Sequence, residues 1–78
     1  MLSPSEHALL GFLLRRRPDT VTRAEILEHV FGYAAETQTN LINVHVSNLR
    51  RKLGTDVVNI RAVRGVGYRL ETREGGHA

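Results

Sequence analysis

A chain of 78 residues without cysteine makes one small domain held by packing alone, which limits stability to roughly 3–5 kcal/mol and excludes disulfides and thiolate chemistry. Its 41% hydrophobic content is too high for a disordered chain, and its longest apolar stretch, residues 9–14, is far short of a membrane span. The net charge of +3 is unevenly placed: residues 1–38 hold four arginines against five acids, and residues 39–73 hold seven bases against two acids. The C-terminal half therefore leans towards a polyanionic partner.

Ser3-Pro4-Ser5-Glu6 reads as a helix start, with a serine cap, proline in the first turn and glutamate three residues after the cap. Leu9, Phe12 and Leu13 follow at helical spacing, and Leu10 and Leu14 widen the stripe. Arg15, Arg16 and Arg17 suit the negative end of the helix dipole, with phosphate contact as the competing role, and Pro18 stops the helix. No positive segment precedes an apolar one, so no signal peptide is expected and the protein is placed in the cytoplasm.

Thr22 and Glu25 form a second capping box, with Val21 able to staple onto Ile26. The second helix is expected from about Arg23 to Phe31, burying Ile26, Leu27, Val30 and Phe31, with Gly32 as its left-handed terminus. A loop over residues 32–38 carries Tyr33. The third helix is expected to begin near Thr37 or Thr39 and to end at Gly54, with Ile42, Val46, Leu49 and Leu53 on its apolar face. Opposite them lie Asn40, Val44, Ser47, Asn48 and Arg51, flanked by His45 and Lys52 on one side and by Asn43 and Arg50 on the other. That helix contains no acid.

Residues 57–63 are rich in β-branched side chains, residues 68–70 alternate, and Arg64-Gly65-Val66-Gly67 supplies a tight turn between them. The expected fold is α+β: a winged helix-turn-helix of three helices followed by a C-terminal β-hairpin wing, over residues 1–73, with 74–78 as a frayed tail.

One helix of this kind fills a major groove. Asn48 can pair with adenine, Val44 can lie against a thymine methyl, and Arg50, Arg51 and Lys52 can meet phosphates. Arg64, on its glycine turn, can enter an adjacent minor groove. Plainer roles compete: Asn40 or Thr39 as a helix cap, Val44 packing on the hairpin, the basic run as a solvated dipole cap. The acid-free face and the basic wing together favour DNA. Gly65-Val66-Gly67 lacks the third glycine of a dinucleotide fingerprint and leads into a strand. His7, His29, His45 and His77 show no ligand spacing, and no nucleophile, base and acid converge. No cofactor, metal, small-molecule substrate, membrane association or enzymatic activity is expected.

The runs Ser3-Pro4-Ser5-Glu6-His7-Ala8-Leu9-Leu10, Thr22-Arg23-Ala24-Glu25-Ile26-Leu27, Asn43-Val44-His45-Val46-Ser47-Asn48-Leu49-Arg50-Arg51-Lys52-Leu53 and Val63-Arg64-Gly65-Val66-Gly67-Tyr68-Arg69-Leu70, with Val30-Phe31-Gly32-Tyr33, resemble the OmpR/PhoB-type effector domain of two-component response regulators. The likeness covers residues 2–71. It implies a transcription regulator whose third helix enters the major groove and whose wing meets the minor groove. Asn40, Val44, His45, Ser47, Asn48, Arg50 and Arg51 take recognition-helix roles, and Ala62 and Arg64 take wing roles. Gly32, Tyr33, Glu36 and Gln38 match the loop that contacts RNA polymerase. Tandem direct repeats bound by a head-to-tail homodimer are implied as well.

Two departures stand out. Asn43 and Asn48 replace an aspartate and an arginine common in relatives, and the second change replaces a guanine or phosphate reader with one suited to adenine, so the relatives' target sequence does not carry over. The four-stranded sheet that precedes the first helix in relatives, and the receiver domain before it, are not in this sequence. The uncovered first helix is expected to leave an apolar patch that favours self-association. The competing function is a protein-interaction module docking through that patch and the Tyr33 loop. Such a module has no need of an acid-free third helix.

Overall fold

A computed structural model describes residues 1–32, 40–54 and 58–72. The elements run α1 (Pro4–Arg16), β1 (Val21–Thr22), α2 (Arg23–Ile26), α3 (Leu41–Leu53), β2 (Val58–Val63) and β3 (Gly67–Thr72). The third helix, expected from near Thr37 or Thr39, starts at Leu41, because Asn40 before it sits at the non-helical N-cap position (φ −108°, ψ 12°). The loop residues Tyr33, Glu36 and Gln38, Val57, and the domain boundary at residue 73 lie outside the described residues.

Both capping boxes form. Ser3 Oγ accepts from the Glu6 N–H while the Glu6 carboxylate accepts from the Ser3 N–H. Thr22 and Glu25 do the same for α2. The second helix differs from the continuous α-helix expected to Phe31. From Leu27 to Phe31 it widens into a π-turn, closed by the Gly32 N–H donating to the Leu27 carbonyl five residues back.

Val21 was expected only as a staple. It also opens a strand: β1 pairs antiparallel with β3, which pairs with β2, so the hairpin sits in a three-stranded sheet of order β1-β3-β2. Gly67 makes this possible. It stands opposite both Thr22 and Val63, and a Cβ there would overlap the Val21 carbonyl oxygen. Only a residue without a side chain lets β1 approach.

The core joins Leu9, Phe12 and Leu13 of α1, Val21, Ile26, the α3 stripe Ile42, Val46 and Leu49, and the sheet residues Ile60, Tyr68 and Leu70. Leu10, Leu27, Val30, Phe31 and Leu53 are partly buried against it. Leu14 does not widen the buried stripe; it is 40% exposed. Besides Met1 it is the only large apolar side chain that α1 and the segment before it leave open, so the expected patch shrinks to these two. No helix among the described residues is long and apolar enough to cross a membrane.

Candidate nucleic-acid interface

With its apolar stripe buried, α3 presents Asn40, Asn43, Val44, Ser47, Arg50 and Arg51 to solvent, and Asn48 is half-buried. Val44 is 45% exposed and is not among the side chains packed against the core. Asn40 occupies the N-cap position without a side-chain cap bond, which leaves its carboxamide available.

The two flanks of α3 face different neighbours. On one flank, His45 Nδ1 lies 3.0 Å from the Leu41 carbonyl and its ring stacks at a tilt on Phe31. A carbonyl only accepts, so Nδ1 carries the proton. On the same flank Lys52 is not a free phosphate contact. Its ammonium donates to Glu6 Oε1 at 2.8 Å and to the Met1 carbonyl. Glu6 is the buried charged side chain of the core region, and its hydrogen bond from Lys52, with that from the Ser3 N–H, holds its carboxyl below the usual range.

The other flank meets the sheet. Arg50 Nε donates to the Ile60 carbonyl at 2.9 Å, tying α3 to β2. Asn43 Oδ1 accepts from both the Tyr68 hydroxyl at 2.6 Å and Arg23 Nη1 at 3.1 Å. Asn43 thereby joins α2, α3 and β3 at the base of the wing. Its position in the sequence marks it as a flank residue and as a departure from relatives, but not as a junction, because its partners lie 20 and 25 positions away.

The wing tip is the turn Arg64-Gly65-Val66, closed by the Val66 N–H donating to the Val63 carbonyl, with Gly65 at φ 78°. That left-handed φ suits glycine, and it puts Arg64 and Val66 outward. Ala62 is exposed beside them. Arg23 faces the tip across a shallow hollow walled by Ala62, Arg64, Val66 and Tyr68. Neither Arg23 nor Tyr68 was singled out from the sequence.

Further down the hairpin, Glu71 accepts from Arg61 Nε at 3.0 Å and from Arg69 Nη2 at 2.8 Å, and these two bonds hold its carboxyl below the usual range. Of the arginine triplet on α1, Arg16 is spent structurally: it donates to Glu25 at 3.0 Å and lies over the Phe12 ring.

The chain matches the family described as "Transcriptional regulatory protein, C terminal" over residues 1–70. It is 40% identical over 70 residues to the response regulator protein PmrA of Pseudomonas aeruginosa, covering 90% of this chain and 31% of that protein. It is 44% identical over 69 residues to the transcriptional regulatory protein QseB of Escherichia coli O157:H7, covering 88% and 31%. This chain thus spans about a third of the length of these relatives. Among solved structures, the DNA-binding domain of Bacillus subtilis CssR superposes with a TM-score of 0.81 at 25% identity, covering 91% of this chain and 78% of that one. The DNA-binding domain of the response regulator AdeR, solved in complex with an intercistronic region, gives a TM-score of 0.76 at 32% identity, covering 92% and 74%.

Proposed function

As this chain belongs to the OmpR/PhoB-type family of transcriptional regulatory C-terminal domains, we propose that it binds double-stranded DNA sequence-specifically. It serves as the effector module of a response regulator. The outer face of α3 lies in the major groove, with Asn40, Val44, Ser47, Asn48 and Arg51 towards the bases and phosphates. Arg64 and Ala62 bring the wing to the neighbouring minor groove. Tandem direct repeats accommodate two copies head to tail, and the segment 32–38 is the surface offered to RNA polymerase.

The observation that carries this reading is the junction of an acid-free helix face and a basic wing tip on one rigid frame. No acid occurs between residues 40 and 54. Arg50 to Ile60 and Asn43 to Tyr68 fix the helix against the hairpin, so the two basic elements meet a duplex as a unit. The AdeR domain's complex with an intercistronic region supports a duplex as the partner.

Arg64→Ala tests the wing. The affinity for duplex DNA is expected to fall, and the slope of its logarithm against the logarithm of salt concentration to flatten by about one unit, as for the loss of one phosphate-region cation. An unchanged slope removes the wing from the interface.

A further inference from the structure

Asn48 and Arg51 lie one turn apart on α3, and Arg51 Nη2 donates to Asn48 Oδ1 at 2.7 Å. A guanidinium has five donors and no acceptor, so the carboxamide turns its oxygen to Arg51 and its NH2 group away. Pairing with adenine needs both ends of a carboxamide, Oδ1 to accept from N6 and Nδ2 to donate to N7. Here one of the oxygen's two lone pairs is taken, and the guanidinium that takes it sets further N–H donors beside the place where adenine N6 would have to donate. What the pair presents outward is chiefly donors: the Asn48 amide N–H groups and the remaining N–H groups of Arg51.

The neighbouring arginine does not compete for this place. Arg50 is drawn to the sheet by the Ile60 carbonyl, which leaves Arg51 as the guanidinium of that turn aimed by a recognition-face residue. Asn48 is half-buried and Arg51 exposed, so the first anchors the second. The anchor is uncharged, so it orients the cation without cancelling it.

The base edge that offers two adjacent acceptors in the major groove is guanine, through N7 and O6. We propose that Asn48 and Arg51 act as one donor-rich head that selects a G·C base pair, replacing the adenine preference that Asn48 alone suggests. The proposal rests on the DNA-binding reading above.

The test is selection from a randomised duplex library with the whole chain, followed by titration of the selected site and its single-base-pair replacements. Wild type is expected to weaken about tenfold when one G·C pair is changed to A·T. Asn48→Ala and Arg51→Ala are both expected to lose that preference at the same position, and the double variant to lose no more than either alone. Arg51→Lys keeps the charge but not the fork, so it is expected to lose the preference while keeping the salt slope. An A·T preference lost in Asn48→Ala alone overturns the proposal. So does an Arg51→Ala variant that weakens all sites equally, or a selected site indifferent to both residues; in these cases DNA binding itself stands. If wild type enriches no sequence and binds no duplex at low salt, the DNA-binding reading falls and the pair with it. Thermal melts of the variants are expected to stay close to wild type, since Arg51 is exposed, Asn48 is only half-buried, and the bond between them lies at the surface.

Discussion

Two sets of cations in this chain are held by different chemistry. Arg16, Lys52, Arg61 and Arg69 each meet a carboxylate, of Glu25, Glu6 and Glu71, within 3.0 Å. Arg50 and Arg51, on α3, meet a backbone carbonyl and a carboxamide instead, and Arg64 stands exposed at the wing tip. A carboxylate orients a cation and cancels its distant field; a neutral acceptor orients it and leaves the field whole. Exposed ion pairs contribute little to stability. Among these seven cations, what the difference in partners decides is therefore where positive potential remains, and it remains on α3 and the wing, the two elements that fit adjacent grooves of a duplex.

The comparison holds only while the wing keeps its pose. Gly67→Ala attacks that pose directly, because the added methyl meets the Val21 carbonyl and pushes β1 off β3. A loss of about 2–3 kcal/mol is expected, a large share of what so small a chain can hold, read as a lower urea midpoint. A variant as stable as wild type would mean that β1 does not anchor the wing.

Ser47→Asp carries the second-largest effect. It puts an acid on the one face that has none, at an exposed position with no core contact. DNA affinity is expected to fall roughly tenfold with the melting temperature unchanged. Equal binding would show that this face lies away from the phosphates.

Acid separates the two sets most selectively. Glu6, Glu25 and Glu71 all have carboxyl groups held below their ordinary value of 4.5, chiefly by Lys52, by the Thr22 N–H and by Arg61 respectively. Their stabilisation is complete above that value and disappears as the pH falls through the lowered ones. Arg50 and Arg51 have no such partner to lose. Melting temperature is expected to drop on acidification, and the triple Glu→Gln variant at 6, 25 and 71 to drop less steeply. The smallest effect is that of Glu71→Gln alone at neutral pH, which frees Arg61 and Arg69 from their carboxylate and is expected to leave DNA affinity within about twofold.

What the sequence made legible was local. Ser3 with Glu6 and Thr22 with Glu25 close their bonds within three residues, so spacing alone reveals them. The stripe Ile42, Val46, Leu49 repeats with the helix and was equally plain, as was the turn bearing Arg64. What escaped depends on distant partners. Two residues, Val21 and Thr22, are too few for a period to mark them as a strand, and their need for Gly67 spans 45 positions. Lys52 looked like a phosphate ligand until Glu6, buried at the start of α1, was found to hold it. Asn43 gained its place from Tyr68 and Arg23 in the same way. The Asn48–Arg51 bond was within reach, since three-residue spacing on a helix puts side chains side by side.

The central claim, that α3 and the wing meet DNA together, is tested most directly by amide chemical-shift titration of the labelled chain with a duplex at low and moderate salt. The account predicts shifts concentrated in residues 40–52 and 61–68, shrinking together as salt rises. Shifts confined to α1, or none on α3 and the wing at low salt, would contradict it.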